Sequence, residues 1–227
     1  FPSLVSYSGT STVAKDAHGS GSFRDNSNVV YNFVATKTDI FQLASGSFTS
    51  RKGSLTGDDD DYWTFTQFGQ YVIASNGVDQ PQYYLMGTST NFANLNAIQT
   101  AGTTPLFRVS GVVRDFLVTG NIQNATNRIH WSGINDISAW SGKQSDFQDL
   151  PGSGGQIVAI TSGEVGYVFR QNQIIRMDYV GGTVVFRLSV ISPNRGAIFG
   201  RTVCQDNRRV FFYADDGFYE IQGDNVA

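Results

Sequence analysis

A chain of 227 residues, 40% hydrophobic and 15% charged with a formal net charge of −3, is long enough for one large domain with a sizeable core. It is too sparsely and too negatively charged for a broad basic footprint that grips nucleic acid. Its single cysteine, Cys204, excludes an internal disulfide and fits folding in a reducing compartment, and no apolar run reaches the ~18 residues of a spanning helix.

In chain order, residues 1–16 hold one strand candidate, Leu4 to Tyr7, set apart by Ser8-Gly-Thr-Ser-Thr12. Short apolar runs bounded by turn residues then follow in groups of four. The first group is Gly21 to Arg24, Val29 to Ala35, Ile40 to Ala44 and Ser47 to Lys52. After the polar stretch from Gly53 to Asp61 comes the second: Trp63 to Phe68, Tyr71 to Ser75, Gln82 to Met86 and a short piece around Phe92 to Leu95. The third is Leu106 to Val112, Phe116 to Thr119, Arg128 to Trp131 and Phe147 to Leu150, with a turn expected at Gly120-Asn121. The fourth is the clearest, with Ile157 to Ile160, Val165 to Arg170, Ile174 to Tyr179 and Val184 to Val190, its central hairpin folding about Gln171-Asn172. The last has three strands, Ile198 to Cys204, Arg209 to Tyr213 and Gly217 to Ile221.

The aromatics Phe41, Tyr71, Phe116, Tyr167 and Phe211 mark equivalent hairpins at a period of roughly 40–50 residues, the first interval shorter, as in propeller blades. Twenty-five Gly, seventeen Phe and ten Tyr suit pleated faces and tight turns, and the absence of 3.6-residue periodicity predicts almost no helix. The expected fold is a single all-β domain over residues 1–227, a β-propeller of about five four-stranded blades, taken from a longer chain. The Leu4 to Tyr7 strand is expected to complete the last blade and close the ring, because closure removes exposed edges.

Few residues suggest chemistry. Asp58-Asp-Asp-Asp61 clusters carboxylates without the spacing of a calcium loop, and reads as a solvated turn. His18 lies in a Gly/Ser loop and His130 beside Trp131, neither near a motif that tunes it. Glu164 and Asp215-Asp216 are the only notional acid/base pair for glycoside cleavage, and sequence does not place them across one site. Gly152-Ser-Gly-Gly155 precedes a strand, not a helix, so it reads as a linker and not a phosphate cradle. Arg195, Arg201, Arg208 and Arg209 read as a solvated face. Ser132 to Trp140 resembles the turn box of sialidase propellers, with Asp136 bracing a turn and Trp140 packed beneath it. No catalytic, cofactor-binding or metal residue is assigned, and no enzyme activity or cofactor is expected.

Several segments together resemble the β-propeller region of bacteriophage and prophage tail proteins of the podophage hub or nozzle group, also called packaged-DNA stabilisation proteins. They are Arg128-Ile-His-Trp-Ser132, Asp136 with Trp140, Asp146 to Leu150, Val168 to Met177, Tyr179 to Phe186, Gly196, and Val210 to Tyr219. The chain departs in having Ile137 after Asp136, where the group has proline. The resemblance implies a virion structural protein made in the host cytoplasm. It implies copies forming a homo-oligomeric ring that closes or lines the DNA exit, passes DNA without reading its sequence, and docks portal or adaptor proteins and fibre or needle proteins. The alternative is a carbohydrate-binding or glycoside-cleaving propeller used in host recognition.

Overall fold

The computed structural model describes residues 13, 15–206 and 209–227; the expected Leu4 to Tyr7 strand, and ring closure by it, lie outside them. The chain forms five separate four-stranded antiparallel sheets, each a meander in which every strand pairs with its sequence neighbours. Sheet one holds β1 (Gly19–Arg24), β2 (Val30–Ala35), β3 (Ile40–Ala44) and β4 (Ser47–Lys52). Sheet two holds β5 (Thr64–Phe68), β6 (Tyr71–Ser75), β7 (Gln82–Leu85) and β8 (Ala93–Asn94), and sheet three β9 (Phe107–Val113), β10 (Phe116–Ile122), β11 (Ala125–Trp131) and β12 (Asp146–Asp149). Sheet four holds β13 (Ile157–Ile160), β14 (Val165–Arg170), β15 (Ile174–Tyr179) and β16 (Phe186–Ser192), and sheet five β17 (Cys204–Asp206), β18 (Arg209–Ala214), β19 (Gly217–Gln222) and β20 (Asn225–Val226). Among the described residues, helix is confined to two 3-10 turns, Leu95–Ile98 and Gly200–Thr202.

Sheets stack face against face, and the second strand of each shows why. In β14, Val168 packs toward sheet three while Tyr167 and Phe169 pack toward sheet five. A strand buried on both faces is apolar without alternation, and the sequence Val165-Gly-Tyr-Val-Phe169 meets that need. In the same way β10 sends Phe116 and Val118 toward sheet four and Leu117 toward sheet two, and β6 sends Val72 and Ala74 toward sheet one and Ile73 toward sheet three. Aromatic pairs close these interfaces edge to face, as between Phe33 and Phe92 at 4.9 Å, Trp131 and Phe186 at 5.3 Å, and Phe169 and Phe212 at 5.2 Å between centroids, geometries that favour aromatic quadrupoles.

The end sheets differ. In β18 only Val210, Phe212 and Ala214 are buried, facing sheet four, and in β2 only Phe33 and Ala35. Among the described residues no buried apolar cluster joins sheet five to sheet one.

The structure corrects the sequence reading in four places. Phe41 lies in β3, the third strand of its sheet, whereas Tyr71, Phe116, Tyr167 and Phe211 lie in second strands, so it does not mark the equivalent hairpin and the first interval comes out short for that reason. Sheet five does not lack a fourth strand: Asn225–Val226 pairs with β19 after a turn at Gly223, whose φ is +64°. Its first strand is Cys204–Asp206, because Gly200–Thr202 coils into a 3-10 turn instead of extending from Ile198. Gly120-Asn121 is not a hairpin turn. Asn121 (φ +52°) forms a bulge in β10, and the chain reverses at Gln123-Asn124. The bulge re-aims a side chain, since the Asn121 amide donates to the Ile157 carbonyl of sheet four at 2.9 Å.

Candidate functional site

The first strands of four sheets start from one polar cluster. His18 lies just before β1, Asp61 and Tyr62 before β5, Arg108 within β9, and Arg201 in the turn before β17. His18 is buried, its Nδ1 3.1 Å from the Asp61 carbonyl oxygen, and its ring stacks on Tyr62 at 5.6 Å. Arg108 donates to the Asp61 carboxylate at 2.9 Å across the boundary between sheets two and three. From the other end of the chain, Arg201 donates to the His18 carbonyl at 2.6 Å and lies 3.7 Å above the Tyr62 ring. The cluster therefore ties sheet five to sheets one and two by a guanidinium, where no buried apolar cluster joins them among the described residues.

The aspartate run is divided among separate partners. Asp61 also accepts the Asp58 N–H, Asp58 accepts the Asp60 N–H, and Asp59 pairs with Lys37. That ion pair, with its hydrogen bond, holds the Asp59 carboxyl below the usual carboxylate range. Among the described residues no three His, Cys, Asp or Glu side chains converge as metal ligands.

The notional acid/base pair is likewise divided. Glu164 pairs with Arg114, and Asp216 takes both ends of the Arg195 guanidinium, which also stacks 4.2 Å over Tyr219. The Arg195 hydrogen bond lowers the Asp216 pKa, so both carboxyls serve as ion-pair partners. In the turn box, Asp136 accepts the Ser138 N–H and hydroxyl, at 2.9 and 2.6 Å, and pairs with Lys143. Partial burial works to raise its pKa, but these donors outweigh it and the net shift is downward. Trp140 is buried beneath.

His130 sits between Trp140 and Phe147, with Nε2 3.2 Å from the Trp140 carbonyl oxygen. Burial pushes its pKa below the ordinary value; Asp146 opposes this and Arg128 adds to it. The folded chain thus resists protonation while the unfolded chain accepts a proton as the pH falls through ~6.5. The histidine's contribution is full above that pH and declines below it. Thermal melts between pH 7 and pH 5 are expected to fall less steeply for His130→Gln than for the unaltered protein; equal slopes would show that His130 is not held neutral.

Gly152-Ser-Gly-Gly155 wraps a buried arginine. Arg170, 2% exposed, donates to the carbonyls of Pro151, Gly152 and Gly155 at 2.7, 3.1 and 2.8 Å, and to Gln173 Oε1 at 2.9 Å. No carboxylate faces it among the described residues, and burial lowers its pKa. Gly154 lies so close to the guanidinium that a Cβ there would meet it at 2.8 Å.

A cleft of about 420 Å³ opens between sheets four and five, lined by Arg176 and Asp178 of β15, Arg187, Ser189, Val190 and Ile191 of β16, and Asp224. Arg176 donates to Asp178 at 2.8–3.0 Å and to Asp224 at 2.7 Å, and these carboxylates raise its proton affinity. Arg187, lining the same cleft and directly opposite Asp178 in register, makes no ion pair or hydrogen bond through its side chain among the described residues. Sequence reading missed Arg108, Arg170, Arg176 and Arg187. Only the alternation Arg176-Met-Asp178, which puts both charges on one strand face, could have flagged any of them.

No protein-family profile and no curated protein matches the chain. Among solved structures, the extracellular domain of a putative one-component system from B. thetaiotaomicron aligns with 94% of this chain and 28% of its own, at TM-score 0.59 and 12% identity. Virginiamycin B lyase from Staphylococcus aureus, in a catalytically inactive form with quinupristin, aligns over 87% of this chain and 63% of its own at TM-score 0.54 and 12% identity. BamB from Moraxella catarrhalis aligns over 93% and 59%, at TM-score 0.54 and 11% identity. The chain thus spans less than two thirds of each of these proteins, and at such identities the likeness is one of fold: all-β, propeller-like, built of four-stranded antiparallel sheets.

Proposed function

We propose that this domain is a structural part of a bacteriophage tail, a ring protein of the hub or nozzle kind at the DNA exit, with no catalytic role. The observation that carries the structural reading is how the ionisable groups are spent. Asp61 with Arg108, Arg201 with His18 and Tyr62, Arg176 with Asp224 and Arg195 with Asp216 all join separate strands or loops, where a catalytic propeller needs acid and base groups held apart in pKa around one space. The tail assignment rests on the sequence resemblance, since the solved structures described above are not tail proteins. A net charge of −3 suits a wall past which DNA slides, because dense basic contacts would hold it.

In this reading the five sheets are the blades of one ring and Arg201 makes the join between the last and the first. Arg201→Ala is then expected to cost about 1 kcal/mol, from a partly exposed cation–π contact and a charged hydrogen bond. It should also speed amide exchange at Trp63, whose N–H shares the His18 carbonyl with Arg201, while the four apolar interfaces stay protected. Unchanged exchange at Trp63 would show that Arg201 joins nothing.

The function itself is tested by offering the full-length protein to purified tail components, and the domain to a panel of polysaccharides. Incorporation into tail rings without turnover supports the proposal. Glycan cleavage lost in Glu164→Ala or Asp216→Ala overturns it in favour of the host-recognition enzyme.

A further inference from the structure

We draw no further inference here: the strongest candidate, the aromatic surface patch on the face of sheet five turned away from sheet four, where Phe218 is 86% exposed and pairs with Tyr213 at 4.8 Å between ring centroids, carries nothing because nothing in the structure shows what covers it.

Discussion

Arg170→Ala is expected to lower the stability of the domain by about 4 kcal/mol, the largest effect of any single polar substitution in the chain. The guanidinium is buried and makes four hydrogen bonds, three to main-chain carbonyls of the linker between sheets three and four and the fourth to Gln173 Oε1 in its own hairpin. A hydrogen bond to a charged donor contributes about 1.5–3 kcal/mol, and each buried carbonyl left without a donor costs a further penalty. Water entering the vacated space would offset part of that sum, which is why the expected figure is well below four full bonds. Lysine should not rescue it, because one ammonium cannot reproduce the fork that reaches Pro151, Gly152 and Gly155 together. For a chain of this size, 4 kcal/mol corresponds to a fall in melting temperature of roughly 8–16 °C. Chemical denaturation of Arg170→Ala and Arg170→Lys checks this; a loss under ~1 kcal/mol in both would mean that the linker holds its path without the arginine.

Trp131→Ala should cost nearly as much, roughly 3–5 kcal/mol as for other buried aromatic truncations. Trp131 is 4% exposed, meets Phe186 of sheet four edge to face, and donates its indole N–H to the Gln144 carbonyl at 2.8 Å. It thus joins two sheets and also anchors the loop that leads into β12. Trp131→Phe keeps the ring contact and loses the hydrogen bond, so its cost should be well under half that of alanine. Intact stability in Trp131→Ala together with loss of glycan or partner binding would instead place the residue in a site.

What could be read from the sequence was local. The dipeptides Ser45-Gly46, Asn76-Gly77 and Asp216-Gly217 are legible as turns between apolar runs because such turns need positive φ, and Ser45, Gly46 and Gly77 adopt it. The same chemistry misled at Gly120-Asn121, since a bulge uses an Asn in the left-handed region just as a turn does. The fourth strand of sheet five has two residues, too few to show any alternation. Strand groups emerged because the second strand of each inner sheet is buried on both faces and so carries an unbroken apolar run, as in Leu117-Val118, Val72-Ile73-Ala74 and Val168-Phe169. The charged network was hidden for a different reason: Arg108 meets Asp61 and Arg176 meets Asp224, partners 47 and 48 positions apart, only after neighbouring sheets have packed together, and no spacing rule encodes that. The resemblance to tail proteins supplied a function that neither residue chemistry nor the fold dictates, because propellers host many activities.

Electron cryomicroscopy of particles carrying the full-length protein tests the account most directly. The expected result is a ring of copies at the DNA exit of a phage tail, each copy showing five radial four-stranded sheets with Arg201 against Tyr62. Particles in which this domain stands alone on a cell-surface or soluble enzyme, or in which sheets five and one belong to separate rings, would contradict it.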